Sequence, residues 1–157
     1  MNKRQIEQCW HRYLKALPAG TEPDAAYLVD QFGDTAQLAN DLGQLVLDGV
    51  KTATCSSLWE WEVEQTDPNE MMGIKTVILN GEGAPICIIE TVEINIRSFS
   101  EVDTQFAYDE GEEDRTLESW RQEHWKYFSR VLPKIGKSPG PEMLLVCERF
   151  RVVYPSP

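Results

Sequence analysis

Asp48-Gly49-Val50-Lys51-Thr52-Ala53-Thr54 is the stretch on which the reading of this chain turns. Leu38, Leu42, Leu45 and Val46 precede it at the spacing of one helical face, and Asp34 with Gln37 resembles a capping box at that helix's start. Gly49 supplies the left-handed residue that closes a helix. Threonines and small residues then run from Lys51 to Ser57, which predicts a strand. A lysine and two threonines are therefore grouped where a short amphipathic helix stops and a strand begins.

Towards the N-terminus, Ile6, Cys9, Trp10, Tyr13, Leu14 and Leu17 follow helical spacing, so a first helix with one apolar stripe should end before Pro18. A polar connection over 19–24 leads to Tyr27-Leu28-Val29 and the turn Phe32-Gly33-Asp34. Towards the C-terminus comes the aromatic and acidic run Leu58-Trp59-Glu60-Trp61-Glu62, then a loop at Thr66-Asp67-Pro68-Asn69. Lys75 to Leu79, the turn Asn80-Gly81-Glu82-Gly83 and Ile86 to Ile96 predict a β-hairpin with a long second arm. In that arm Val92, Ile94 and Ile96 alternate with Glu93, Asn95 and Arg97, which predicts a buried face carrying the three apolar residues.

Ser100 with Asp103 predicts the cap of a short helix carrying Val102, Phe106 and Ala107 and ending near Gly111. From Leu117 a longer helix aligns Trp120, His124, Phe128 and Val131 before Pro133 stops it. After a loop over 134–141, Met143 to Tyr154 reads as the last strand, and no internal repeat occurs.

A chain of 157 residues makes one domain, large enough to bury a core unaided by disulfides or metals. Fifteen basic against 26 acidic residues give a net charge of −11, which opposes sequence-blind adhesion to nucleic acid or anionic membrane. Cys9, Cys55, Cys87 and Cys147 form no C-x-x-C pair, and only His11 and His124 are available beside them, so the spacing argues against a disulfide framework and structural zinc. No cofactor and no metal are expected. Charged residues interrupt the apolar positions from Ile6 to Leu17, so neither a signal peptide nor a membrane span is expected, and a reducing cytoplasm fits best. Glu101 to Asp114 holds seven acids and no Lys or Arg, while Arg115 to Lys137 holds six basic residues against Glu118 and Glu123.

Each candidate residue carries a bland reading beside the chemical one. Lys51 just beyond a helix C-terminus is favoured by the helix dipole alone. As a base it must be desolvated enough to lose its proton. Lys51 and Thr54 are three apart, so in a regular strand they face opposite ways and could cooperate only if the chain is still turning. Thr52 shares a face with Thr54 and is the simpler strand-packing residue. Trp59 and Trp61, two apart, would share one face of a strand and offer a stacking surface for a base, although core packing is the commoner use of tryptophan. His124, between Trp120 and Phe128, reads as a hydrogen-bonded core histidine, and Tyr127 and Ser129 as surface hydroxyls. Glu110 is one acid among seven.

Taken together, Phe32-Gly33-Asp34-Thr35, Gly49 to Thr54, Leu58 to Glu62, Phe99 to Asp114, Leu117 to Trp120 with His124-Trp125 and Phe128-Ser129, and Val146 to Phe150 resemble the ASCH domain family, whose fold is similar to the RNA-binding PUA domain. The resemblance implies an α+β fold: a small mixed β-barrel with helices around it and a cleft lined by the G-x-K-T-x-T segment. It spans 30–155, with residues 1–29 as an N-terminal helical extension. In the shorter members that hydrolyse N4-acetylcytidine, the motif lysine and last threonine act with a glutamate after a short helix. Those positions are Lys51, Thr54 and Glu110 here, with Glu112 and Glu113 as alternatives across a variable loop.

The implied chemistry is amide hydrolysis, with Thr54 attacking the acetyl carbonyl, Lys51 taking its proton and Glu110 orienting Lys51 or shuttling a proton. Thr52, Trp59, Trp61, Arg115 and Ser129 are the expected substrate contacts. This chain departs from the small hydrolases in its length, its N-terminal helix and Cys55-Ser56 where those carry a basic residue. Its likeness to the longer ASCH proteins implies ribonuclease activity or plain RNA binding as alternatives. In the ribonuclease reading Lys51 and Ser129 surround the phosphate. The expected partner is a nucleoside or RNA, and neither DNA nor a membrane.

Overall fold

The computed structural model describes residues 2–23 and 26–155, so position 24 of the predicted connection over 19–24 lies outside the described residues. Helix α1 (Lys3–Ala16) is capped by Asn2 and buries Ile6, Trp10 and Tyr13. That stripe packs on Val77, Leu79 and Ile88 of the sheet, with Trp10 stacked on Tyr27. Strand β1 (Leu28–Asp30) precedes α2 (Ala36–Leu47), which buries Leu42 and Val46 against Ile78, Cys87 and Phe150. The cap of α2 is Thr35, whose hydroxyl accepts the Leu38 N–H, and not the predicted Asp34. Asp34 instead accepts two hydrogen bonds from the Arg130 guanidinium, at 3.0 and 3.1 Å.

Strand β2 (Ala53–Ser57) runs directly into α3 (Leu58–Val63). This corrects the expectation that Trp59 and Trp61 share a strand face. Ser57 and Glu60 form a capping box, and that helix start prevails over the strand preference of the tryptophans. On a helix, positions two apart diverge by about 200°.

The predicted hairpin forms as β3 (Lys75–Leu79) and β4 (Pro85–Ser98). The predicted buried face of β4 does not: Val92 is 44% and Ile96 41% exposed. Thr91 pairs with Phe150 and Glu93 with Arg149, so Val92 is the extra residue of a bulge that breaks the alternation. A 3-10 turn at Phe99–Glu101, closed by Ser98 and Glu101, then leads to α4 (Thr104–Glu110), capped by Asp103 and ended by Gly111. The long helix α5 (Leu117–Val131) and the last strand β5 (Leu144–Tyr154) fall where the spacing predicts them.

The five strands lie in the order β1-β3-β4-β5-β2, all antiparallel except β1 beside β3. The sheet curls into a half-barrel with β1 and β2 as its free edges. Phe99, Phe106, Trp120, Phe128 and Leu145 form the core between the sheet and α4 and α5. All four cysteines are free thiols. Among the described residues no helix is long and apolar enough to cross a membrane.

Candidate functional site

The turn after α2 and the end of α4 are stitched together, and the site sits at that seam. Gly49, at φ 74°, turns the chain, and the N–H groups of Val50 and Lys51 both donate to the Leu45 carbonyl at 3.0 Å. The Thr52 N–H donates to the Asp109 carbonyl at 2.8 Å, while the Thr52 carbonyl accepts from Phe150. Gly111 completes the seam: its φ is 73°, and a Cβ there would lie 2.6 Å from the Val50 carbonyl oxygen. Only glycine permits both this conformation and this approach.

Lys51 is thereby turned inward before β2 begins, and its side chain is 1% exposed. Its Nζ donates to the Ala53 carbonyl at 2.8 Å, to Glu110 Oε1 at 3.2 Å and to Glu112 Oε2 at 3.0 Å. Burial alone pulls the Lys51 pKa down, but the carboxylates of Glu112 and Glu110 outweigh it and hold the group above its ordinary value. Lys51 therefore rests as an ammonium.

Glu110, also 1% exposed, accepts from three directions. Lys51 reaches Oε1, and Oε2 receives the Trp120 indole N–H and lies 3.2 Å from His124 Nε2. Burial raises its pKa, but the charges of His124 and Lys51 and the hydrogen bonds from His124 and Trp120 prevail and hold it far below the carboxylate range. His124 Nδ1 lies 2.9 Å from the Trp120 carbonyl, one helical turn back. A carbonyl only accepts, so Nδ1 carries a proton; facing a carboxylate, Nε2 carries one too, and the ring is an imidazolium. Burial lowers the His124 pKa, but Glu110 reverses this and raises it. Two cations and two carboxylates, Lys51, His124, Glu110 and Glu112, thus cancel inside the protein.

A cavity of about 130 Å³ is lined by Lys51, Thr54, Cys55, Glu110, Glu112 and His124, among others. It shares Phe32, Gly33, Thr54, Cys55 and Tyr127 as a common wall with a larger one of about 750 Å³. Thr54 stands opposite Glu148 in the β2–β5 register and lines both spaces. The larger cavity is lined by six acids, Asp30, Glu60, Glu64, Asp67, Glu70 and Glu148, and by no Lys or Arg. Burial pushes the Glu148 carboxyl up to about 7, with a smaller push from Asp30. The Cys55 thiol is likewise raised well above its ordinary value, first by burial and then by Glu110.

The expected contacts divide accordingly. Lys51, Glu110 and Glu112 meet, and Thr54 and Glu113 line the same small cavity. Trp61 lines the large cavity, its indole N–H bonded to Ser56 Oγ at 2.8 Å. Trp59 instead packs against the core on the far side, under the Lys137 ammonium. Thr52 lines neither cavity and its hydroxyl donates to the Asp109 carbonyl. Arg115 stacks on Tyr108 and donates to the Tyr108 carbonyl, so it braces the seam. Ser129 is exposed on α5 and lines neither cavity. His124 and Trp120, taken as core residues from the spacing, are buried, but their polar atoms hold the site carboxylate.

The ASCH domain profile matches residues 28–154, beginning at β1. No curated protein matches the chain. Among solved structures it is similar to an ASCH domain from Lactobacillus crispatus JV V101, with 31% identity and a TM-score of 0.88 over 97% of this chain and 96% of that one. It is also similar to a protein from Enterococcus faecalis V583, with 34% identity and a TM-score of 0.82 over 95% of this chain and 88% of that one.

Proposed function

The chain belongs to the ASCH domain family, and from that premise we propose that it hydrolyses a modified nucleoside, deacetylating N4-acetylcytidine to cytidine and acetate at Lys51, Thr54 and Glu110. The observation that carries this reading is the burial of Lys51 on two carboxylates in a cavity that also has Thr54 in its wall. A fully desolvated lysine in a cavity whose wall also holds a threonine is suited to proton transfer, since structural lysines keep their ammonium in water. The acid-lined larger cavity favours a neutral nucleoside over a phosphate backbone. Its volume of about 750 Å³ is in the range of small-molecule sites. The exposed Ser129 and the acidic walls both weigh against cleavage of RNA there.

Lys51 rests protonated, so it must first give up a proton to act as a base. Glu112 is the nearest carboxylate, at 3.0 Å, and is 21% exposed against 1% for Glu110. When substrate dries the pocket, transfer from Nζ to Glu112 exchanges an ion pair for two neutral groups. Neutral Lys51 then takes the Thr54 hydroxyl proton as Oγ1 bonds to the acetyl carbon. The carbon–nitrogen bond breaks, and the Lys51 proton passes to the departing cytosine amine. Water cleaves the acetyl ester: its oxygen leaves in acetate, one of its protons restores the Thr54 hydroxyl and the other leaves to solvent, and Glu112 returns its proton to Lys51. Glu110, fixed by Trp120 and His124, positions Lys51 throughout.

The test is acetate release from N4-acetylcytidine supplied either as the free nucleoside or within a short oligoribonucleotide. Faster turnover of the free nucleoside supports the reading. Turnover of the oligonucleotide alone overturns the assignment of a nucleoside substrate.

A further inference from the structure

Cys55 has no part in that mechanism, yet it faces the same small cavity. One ligand atom each from Cys55, Glu110 and His124 lie within 4.8 Å of one another. They come from β2, α4 and α5, three elements held by one packed core.

We propose that Cys55 Sγ, a Glu110 carboxylate oxygen and His124 Nε2 form a binding site for a divalent ion of the zinc class, with the fourth position open to the cavity shared with Lys51 and Thr54. Three observations carry it. The donor set of thiolate, imidazole and carboxylate is that of zinc sites, and three protein ligands with an open fourth position is the arrangement of reactive rather than structural ones. His124 Nδ1–H donates to the Trp120 carbonyl, which leaves Nε2 as the atom aimed inward. Metal-binding histidines are oriented by such a bond to the other ring nitrogen. Nε2 and Glu110 Oε2 lie 3.2 Å apart. Two ligands about 2.0 to 2.1 Å from a tetrahedral ion are separated by roughly that distance. The sulfur lies no more than 4.8 Å from either atom, so with a zinc–sulfur bond of about 2.3 Å it has at most about 1 Å to close.

Charge balance allows the exchange. The ion displaces two protons, one from the Cys55 thiol and one from His124 Nε2. Before, Lys51 and the imidazolium face two carboxylates; after, Lys51 and the dication face two carboxylates and a thiolate. The net charge of the buried cluster is zero in both states, so neither leaves an unpaired charge in the interior. Glu110 Oε1 remains with Lys51.

Cobalt(II) titration of the metal-stripped full chain tests this through its absorption spectrum. One equivalent should give a thiolate-to-cobalt charge-transfer band and the intense visible bands of a tetrahedral ion, both removed by zinc. Cys55→Ser should retain the wild-type melting curve, lose the charge-transfer band and bind cobalt at least about 100-fold more weakly. Cys9→Ser, which alters the other partly exposed thiol, should leave the spectrum unchanged. A folded wild type without the charge-transfer band, or a band that survives Cys55→Ser, overturns the site. Acetate release in the presence of chelator reads the hydrolase separately: activity with no cobalt spectrum rejects the metal alone, and a cobalt spectrum with no activity on any acetylated nucleoside rejects the hydrolase alone.

Discussion

Lys51 Nζ lies 3.2 Å from Glu110 Oε1 although 59 residues separate them in sequence, and both side chains are 1% exposed. The pair is possible because the turn after α2 and the end of α4 share backbone hydrogen bonds, so each charged group is carried inward by an element that is itself fixed. Removing one member leaves the buried cluster of Lys51, His124, Glu110 and Glu112 with one uncompensated charge, at a cost of about 3–5 kcal/mol. Glu110→Gln and Lys51→Met should each destabilise the protein by that order, and the double variant by clearly less than their sum. Denaturant unfolding of the four proteins measures the coupling.

Gly111 and Gly49 have nearly the same φ, 73° and 74°, but different surroundings. An added Cβ meets nothing within 4 Å at Gly49, and meets the Val50 carbonyl oxygen at 2.6 Å at Gly111. Gly49→Ala should cost only the left-handed conformation, about 1 kcal/mol. Gly111→Ala should cost at least about 2 kcal/mol more and abolish activity, because it pushes the Lys51 turn away from Glu110. Thermal melts beside activity assays distinguish the two.

Glu148 gives a pH dependence of definite sign. Its carboxyl is raised from 4.5 to about 7 in the folded protein, so between those values the native state holds a proton that the unfolded chain has lost. Stability is therefore lost as pH rises through this window. The shift corresponds to up to about 3 kcal/mol. Glu148→Gln should melt higher than wild type at pH 8 and close to it at pH 4.5, which thermal melts at the two pH values check.

Trp61 and Trp59 separate binding from folding. Base stacking on an aromatic ring is worth about 1–3 kcal/mol, so Trp61→Ala should raise KM by about 10-fold or more with a smaller change in kcat. Trp59→Ala should lower stability by about 2–3 kcal/mol and leave KM unchanged. Steady-state kinetics and melting of both variants decide between this division and a shared stacking face.

Helices with a long apolar repeat were legible from residue types alone: α1 and α5 stop at their prolines, and the small-residue run after Gly49 is a strand. Where one local feature overrode another, the pattern misled. The Ser57–Glu60 capping box was present in the sequence but is outweighed there by two tryptophans that favour strands, and the bulge at Val92 inverts an otherwise regular alternation. The resemblance led to Lys51, Thr54 and Glu110 and left Glu112 and Glu113 as alternatives, because apart from its place at the end of a short helix no local property separates Glu110 from six neighbouring acids. Only folding shows that Glu110 and Glu112, on either side of Gly111 in the chain, both reach Lys51. His124 was legible as a buried histidine and not as a partner of Glu110, because that contact depends on how α5 crosses the end of α4. The expectation of no metal rested on cysteine spacing along the chain; the proposed metal site draws instead on the convergence of Cys55, Glu110 and His124 from three elements.

The account stands most directly on the rate of acetate release from N4-acetylcytidine by wild type, Lys51→Met and Thr54→Val, each confirmed as folded. It predicts turnover by the wild type and a loss of at least about 10³-fold in both variants, as removing a base or its nucleophile requires. Full activity in Thr54→Val would contradict the acyl-transfer mechanism, and a folded wild type that releases no acetate would contradict the assigned function.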